Sequence, residues 1–392
     1  MNPDVLDKAV QDFINEHIKE DAGKIALSKS PFKTVSSKEL AQQIDAKKRS
    51  EKKLPSWFKT PGIYFPSKLN IEQCSSEIAA EYKSKLAEGE TLIDLTGGFG
   101  VDSFYFAKRI STVYHCEIDP LLAEIAAYNA KKLNADNITF VPGNGPENME
   151  NLETTFDTIY IDPSRRVKSQ KVFLLKDCEP DVITCLDFLL SKTEKLIIKT
   201  SPVYDIQAGL KELKNVKEVH VISIKNDCKE LIWILEKDIE KEAEIVAATY
   251  LNNEFETLRF KLSEEKATEI EYYTAPQAFL YEPDSAVLKA GCFKLLTSRL
   301  PVEKLHPNTH LYTSLQFVEN FPGRKFKIRQ TFSYKDFAGN NQTKKANIIC
   351  RNFPNSPEEV KKKFKINDGG ESYLIFAIGS EGKPIVIEAE RV

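Results

Sequence analysis

The seven cysteines of this 392-residue chain, at positions 74, 116, 178, 185, 228, 292 and 350, never form a CxxC pair or another ligand spacing. That lack argues against a zinc ribbon and against a disulfide framework, and free thiols in a reducing compartment are expected. Long apolar runs are missing too. No stretch approaches the ~18 residues that a bilayer span needs, and the first residues, MNPDVLDKAV, are polar and acidic where an export signal is basic and then apolar. A cytoplasmic protein without membrane contact is the expectation. Nor does one sign of charge dominate: 55 Lys and Arg against 58 Asp and Glu give −3, so the whole chain has no general attraction for nucleic acid or membrane. His115, His220, His306 and His310 are too dispersed to suggest a metal, and none is expected. Internal repeats and long low-complexity segments are also lacking.

What is present divides the chain into regions, and its length calls for two or three domains. Residues 1–88 read as helical, because Val5, Ala9, Val10, Phe13, Ile14 and Ile18 recur at three- and four-residue spacing. The charged run DAKKRSEKKLP reads as a solvated helix face ending at Pro55, and QCSSEIAAEYKSKLA as a helix capped by Ser75 or Ser76. Over residues 89–238, the apolar runs TLIDL, TVYHCEI, ITFVPG, FDTIYIDP and KLIIKTSP alternate with helical patterns, which calls for a parallel sheet covered by helices. EVHVISI and ELIWILE are separated only by KNDCK, too short for a crossover, and so should pair as an antiparallel hairpin. Seven strands result. Beyond 238, alternating segments such as KFKIRQTFSY and SYLIFAIG, with the helix SPEEVKKKF, indicate α+β domains, taken as 239–318 and 319–392.

The most informative stretch is LIDLTGGFGVDS, Leu92 to Ser103. A strand running into glycines and then a helix brings backbone N–H groups close to a ligand. No lysine follows the glycines, so a P-loop is excluded, and Gly98-Phe-Gly100-Val-Asp-Ser103 lacks the third glycine of a dinucleotide fingerprint. Asp94 and Asp102 would repel a pyrophosphate but suit a cationic ligand, and S-adenosylmethionine carries an ammonium beside a sulfonium. Glu117, 23 residues after Asp94 at the end of the second strand, is placed to accept ribose hydroxyls, and is preferred to Asp119 beyond it. Asn144, in FVPGNGPEN, offers an amide to an adenine edge, although asparagine is also a common turn residue. Asp162, in FDTIYIDPSRR, closes the fourth strand at the sheet edge where doubly wound folds place reactive groups.

At these residues the chain resembles the class I S-adenosylmethionine-dependent methyltransferases. More narrowly, QCSSE, DLTGGFGVDS, IDPSRR, NDCKEL, YEPDSAVLKAGCFK, LHPNTHLY and RNFP, taken in this order, are similar to bacterial methyltransferases with a C-terminal THUMP-like domain. The resemblance implies a Rossmann-like α/β fold: a seven-stranded sheet of order 3-2-1-4-5-7-6, a helical region before it, and ferredoxin-like and THUMP-like α+β regions after it. It also implies that Asp94, Thr96, Gly97, Gly98 and Gly100 surround the methionine part of the cofactor, with Glu117 at the ribose and Asn144 near adenine. Asp162 and Pro163 match the start of an acceptor-binding (D/N)PP(Y/F) motif, where Ser164 and Arg165 replace proline and an aromatic. Without that aromatic, the stacking clamp on a flipped adenine is missing. Arg165 and Arg166 are candidates to stack on a base or hold a phosphate, or to form a structural ion pair. The next strand ends in IIKTSP without cysteine, which disfavours covalent pyrimidine chemistry.

Methyl transfer to RNA by direct displacement is thus expected, with Asp162 orienting the acceptor or receiving its proton, and orientation the more natural role for a weak base. Between Asn320 and Lys365, twelve Lys and Arg stand against three Asp and Glu, interleaved with aromatics, a pattern that suits RNA and equally suits the core and solvated face of a small domain. A protein or small-molecule acceptor, or an RNA-binding module without turnover, are the alternatives. Neither the modified atom nor the oligomeric state is legible.

Overall fold

A computed structural model describes residues 1–165, the side chain of Arg165 excepted, and residues 175–392. The chain forms two compact units, Met1–Lys217 with Ile232–Glu240, and Glu218–Leu231 with Lys241–Val392. Strands of three or more residues are numbered along the chain. The first nine are β1 (Thr91–Asp94), β2 (Thr112–Glu117), β3 (Ile138–Pro142), β4 (Phe156–Ile161), β5 (Thr193–Thr200), β6 (Val216–Ile224), β7 (Asp227–Glu236), β8 (Glu244–Leu251) and β9 (Glu254–Lys261).

In the first unit the strand order is β3-β2-β1-β4-β5, all parallel, followed by the second half of β7. Such strands are covered on both faces, so they read as unbroken apolar runs: Leu92, Ile93, Ile159, Ile161, Leu196, Ile197 and Ile198 are each wholly buried. Connecting helices cover the sheet, among them Val101–Ala107, Pro120–Lys132, Gly145–Asn151 and Val182–Ser191. The N-terminal helices share this core instead of standing apart. Trp57 is 1% exposed and packs edge-on against Phe104, ring centroids 4.9 Å apart, and against Phe99 at 6.1 Å. Burial of each such ring contributes about 2–3 kcal/mol, which fixes the loop containing Phe99 from behind.

Local signals placed the helices well. Ser36 and Glu39 form a capping box at the start of Ser37–Lys53, and Pro55 opens a new helix, Pro55–Lys59. The charged run is only half solvated, because Lys47 and Ser50 are buried and Lys47 donates to Asn15 Oδ1 at 2.5 Å. Ser76 is the residue that caps Glu77–Ser84.

In the second unit, β6 and the start of β7 are neighbours, joined at Lys225 and Asn226, whose φ angles of 58° and 59° give the mirror-image turn that suits the twist of a hairpin. The order thus runs as expected through the seventh strand. The count does not: β8 pairs in parallel with β6, and β9 antiparallel with β8, making a nine-stranded sheet. Apolar EIVAATYL is the reason, since Ile245, Val246, Ala247 and Ala248 are buried and need a sheet neighbour.

A second sheet contains β10 (Phe279–Pro283), β11 (Tyr312–Ser314), β12 (Gly323–Ser333), β13 (Asn347–Arg351), β14 (Ser372–Ile378) and β15 (Pro384–Arg391), in the order β11-β10-β12-β15-β14-β13. Leu280, Leu305, Leu311, Phe326, Ile349 and Ile375 form one core beside it. Phe337, Val360 and Phe376 form another, with Phe332, Tyr334, Phe353 and Phe364 packed against it. The aromatics interleaved with basic residues are therefore core side chains, and the lysines between them are the solvated face.

Candidate functional site at the carboxyl ends of the parallel strands

The residues singled out in the glycine loop are joined by a chain of short hydrogen bonds. Asp94, at the tip of β1, is fully buried: Oδ1 accepts from Thr96 N at 3.0 Å and Oδ2 from Ser103 Oγ at 2.6 Å. Thr96 Oγ1 accepts from Asp162 N at 2.6 Å, which ties the end of β4 to the loop. Glu117, at the tip of β2, accepts from Gly98 N at 2.8 Å and from Asp119 N at 2.8 Å. Asp119 itself caps the helix Pro120–Lys132 through Leu121 N, so the two neighbouring acids have separate tasks.

Sterics explain the glycines. A Cβ on Gly97 would lie 2.1 Å from His115 Cε1, whereas a Cβ on Gly98, at φ +56°, would find nothing closer than Thr96 O at 3.9 Å. The loop is thus closed below and open above, where a ligand could lie against the backbone. Gly145 makes a similar approach, its Cβ position 2.2 Å from Leu95 O, and so brings Asn144 beside the loop. Asn144 Oδ1 caps the helix Gly145–Asn151 by accepting from Glu147 N at 3.4 Å. Asn144→Ala should therefore cost about 1 kcal/mol of stability, read as a lower melting temperature.

Beneath the loop lie groups that the sequence did not single out. His115 is fully buried, and burial holds it far below the usual imidazole range, at about 3, so the ring is neutral. Its Nδ1 is 2.9 Å from Ser103 Oγ, whose hydroxyl donates to Asp94, so Nδ1 carries the proton. Lys83, with no exposed side-chain surface, pairs with Asp102 at 2.9 Å and donates to Ser75 Oγ at 2.6 Å, while Tyr160 OH donates to Asp102 at 3.0 Å. Burial opposes the charge on Asp102, but Lys83 and Lys199 hold it below the usual carboxylate range. Burial also pushes Asp94 up, to about 7, with the charges of Asp102 and Asp162 adding to the effect and the bonds from Ser103 and Thr96 opposing it.

Asp162 forms an ion pair with Lys199, whose side chain is 15% exposed against 31% for Asp162. Parallel register places them together, because Ile161 is the partner of Ile198 and each charged residue follows its registered isoleucine by one position. Lys199 was visible in IIKTSP, and adjacency of the fourth and fifth strands was the signal that could have found it. Pro163 is buried beside Asp162. The side chain of Arg165, and Arg166 altogether, lie outside the described residues. Four carboxylates, Asp94, Asp102, Glu117 and Asp162, thus gather around the loop with two lysines, Lys83 and Lys199. The balance is negative, as a cationic ligand requires. Among the described residues, no group of three or more His, Cys, Asp or Glu is placed to hold a metal ion, and no helix is long and apolar enough to cross a membrane.

A parallel sheet of this strand order, with a glycine loop after its first strand and acids at the next tips, defines the Rossmann-like class I methyltransferase architecture. The C-terminal residues 279–322 match the model of a ferredoxin-like domain, and residues 323–391 that of a THUMP domain-like region. A solved protein of Porphyromonas gingivalis W83, provisionally designated a methyltransferase, is 30% identical over 98% of this chain and 98% of its own, with a TM-score of 0.87. The chain belongs to that family of methyltransferases with ferredoxin-like and THUMP-like regions. Ribosomal RNA small subunit methyltransferase J of Francisella tularensis subsp. novicida (strain U112) is 33% identical over 111 residues, which are 26% of this chain and 45% of that relative. The chain thus spans less than half the length of that curated relative.

Proposed function

We propose that this protein transfers a methyl group from S-adenosylmethionine to RNA, in a cytoplasmic setting. The observation that carries the reading is the linked arrangement of Asp94, Thr96, Gly98, Glu117 and Asp162, which surrounds an open-sided glycine loop with net negative charge. Residues Thr96, Gly97, Gly98 and Gly100 would hold the methionine end, over the negative field of Asp94. Glu117 would take the ribose hydroxyls by exchanging its bond from Gly98 N, and Asn144 would face the adenine. The bound cofactor supplies an activated methyl group on a sulfonium.

This chain's own residues then have three tasks: to align the acceptor, to exclude water and to manage a proton. Asp162, held by Lys199 and by its backbone bond to Thr96, stands at the strand end where the acceptor would approach. Pro163, Arg165 and Arg166 follow it and would contact the acceptor. RNA is favoured as that acceptor because the chain has a THUMP domain-like region and resembles part of a ribosomal RNA methyltransferase. The test is calorimetry with S-adenosylmethionine, then incubation of the protein and methyl-labelled cofactor with cellular RNA, protein and metabolite fractions. Label in RNA is expected. Label in protein or metabolites would replace the acceptor, and cofactor binding with no label in any fraction would leave only a binding module.

A further inference from the structure

Three motifs not used by the methyl-transfer site, YEPDSAVLKAGCFK, LHPNTHLY and RNFP, converge in the second unit. Glu282 and Arg351 lie two residues after the core side chains Leu280 and Ile349, and Arg324 two residues before Phe326, so all three share their sheet face. Glu282 is 1% exposed, and its oxygens meet Arg324 Nη2 and Arg351 Nη2, each at 2.5 Å. Glu282 and Arg324 are register partners. Arg351 is on β13, four strand spacings from β10, or about 19 Å in a flat sheet, so the sheet must curl to bring it in. The loop carrying Leu305 and Leu311 covers the same face. Its His306 accepts at Nδ1 from Asn308 N at 3.1 Å and stands 3.4 Å from Asn352 Nδ2, which leaves the ring proton on Nε2.

Neutralising one buried carboxylate needs only one arginine, whose planar fork can satisfy both oxygens. Here two arginines each give one Nη, and neither Nε has a hydrogen-bond partner among the described residues. Arg324 and Arg351 remain 26% and 36% exposed, and the three groups sum to one positive charge. Two guanidiniums are thereby held on the two oxygens of one carboxylate before any ligand arrives, both side chains still partly exposed, with Arg351 Nη1 also donating to Cys350 O at 3.1 Å and His306 on the loop next to Asn352, the residue after Arg351. We propose that Arg324, Arg351 and His306 form a preorganised site for a backbone phosphate of the RNA acceptor, an inference that rests on the RNA reading above.

The test uses the full chain and a fluorescein-labelled single-stranded RNA of mixed sequence, titrated at several salt concentrations. Arg351→Gln should weaken binding roughly 10-fold and make the log–log salt slope shallower by about 0.7, as for the loss of one phosphate contact. Arg351→Lys keeps a charge on Glu282 and should lose affinity a few-fold. Inorganic phosphate should compete with RNA more strongly in wild type than in either variant. In methyl transfer to RNA, KM should rise while kcat holds. Wild-type affinity in both variants, and a wild-type slope in Arg351→Gln, when they melt normally would overturn the site, and if Arg351→Gln does not fold, Arg351→Lys decides by its RNA affinity and by phosphate competition. Should wild type methylate RNA while the variants behave like it, only the arginine site falls; should wild type neither bind nor methylate RNA, both readings fall.

Discussion

Asp162→Asn is expected to cut methyl transfer by at least about 100-fold while leaving cofactor affinity within about threefold of wild type. Asparagine has the size of aspartate, and the bond from residue 162 to Thr96 Oγ1 is made by the backbone N–H, so the loop keeps its anchor. What the substitution removes is the negative charge opposite Lys199 and, on the proposed mechanism, the group that orients the acceptor. Lys199→Met gives the complementary result. It frees Asp162 from its ion pair and removes the lesser of the two cations that hold Asp102 down, Lys83 remaining, so turnover should fall less than in Asp162→Asn. The measurement is single-turnover transfer of labelled methyl to RNA, with calorimetry of S-adenosylmethionine beside it. Equal loss of affinity and turnover would show that Asp162 supports the pocket and does not act on the acceptor. Full turnover would remove it from the mechanism.

The parts of this molecule that follow local rules were legible in its sequence. Ser76 and Pro357 mark helix starts because capping depends on a few adjacent residues. The strands β1 to β7 announced themselves as apolar runs between helical patterns. What escaped depends on tertiary proximity. Nothing in VYHCEI says that His115 underlies Gly97, because that contact needs two parallel strands and the turn between them. Nothing in QCSSEIAAEYKSKLA tells that Lys83 lies buried against Asp102, since that pair joins two different helices. Phe332, Tyr334 and Phe364 could be assigned to stacking on bases or to a core from spacing alone, and only packing decides for the core. Membership of β8 and β9 in the first sheet is not legible, because the change in composition after residue 238 resembles a domain boundary, whereas the pairing of β8 with β6 and of β9 with β8 is a tertiary fact.

Cofactor affinity should rise about tenfold between pH 6 and pH 8 in wild type, and the part due to Asp94 should vanish in Asp94→Asn. Burial, aided by the charges of Asp102 and Asp162, raises the Asp94 carboxyl from 3.8 to about 7, so it is mostly protonated at pH 6 and mostly ionised at pH 8. A cationic ligand favours the ionised form, and the tenfold figure is the ratio of ionised fractions at the two pH values. Stability runs the other way. A folded-state value above the unfolded one contributes stability that is complete below pH 3.8 and is lost as pH rises through about 7. The native state therefore contains a costly buried carboxylate at pH 8, a cost on the order of 4 kcal/mol at most. Asp94→Asn cannot ionise, and its amide can still meet Thr96 N and Ser103 Oγ, with His115 moving its proton to Nε2. The variant without ligand should thus melt higher than wild type at pH 8, with the difference shrinking towards pH 4, while binding cofactor at least about tenfold more weakly. Differential subtraction of the two pH profiles isolates Asp94 from the titration of the cofactor's own amine. A wild-type affinity profile parallel to that of Asp94→Asn would show that the buried carboxylate is only a loop anchor, and that the charge which attracts the methyl donor resides at Glu117 and Asp162.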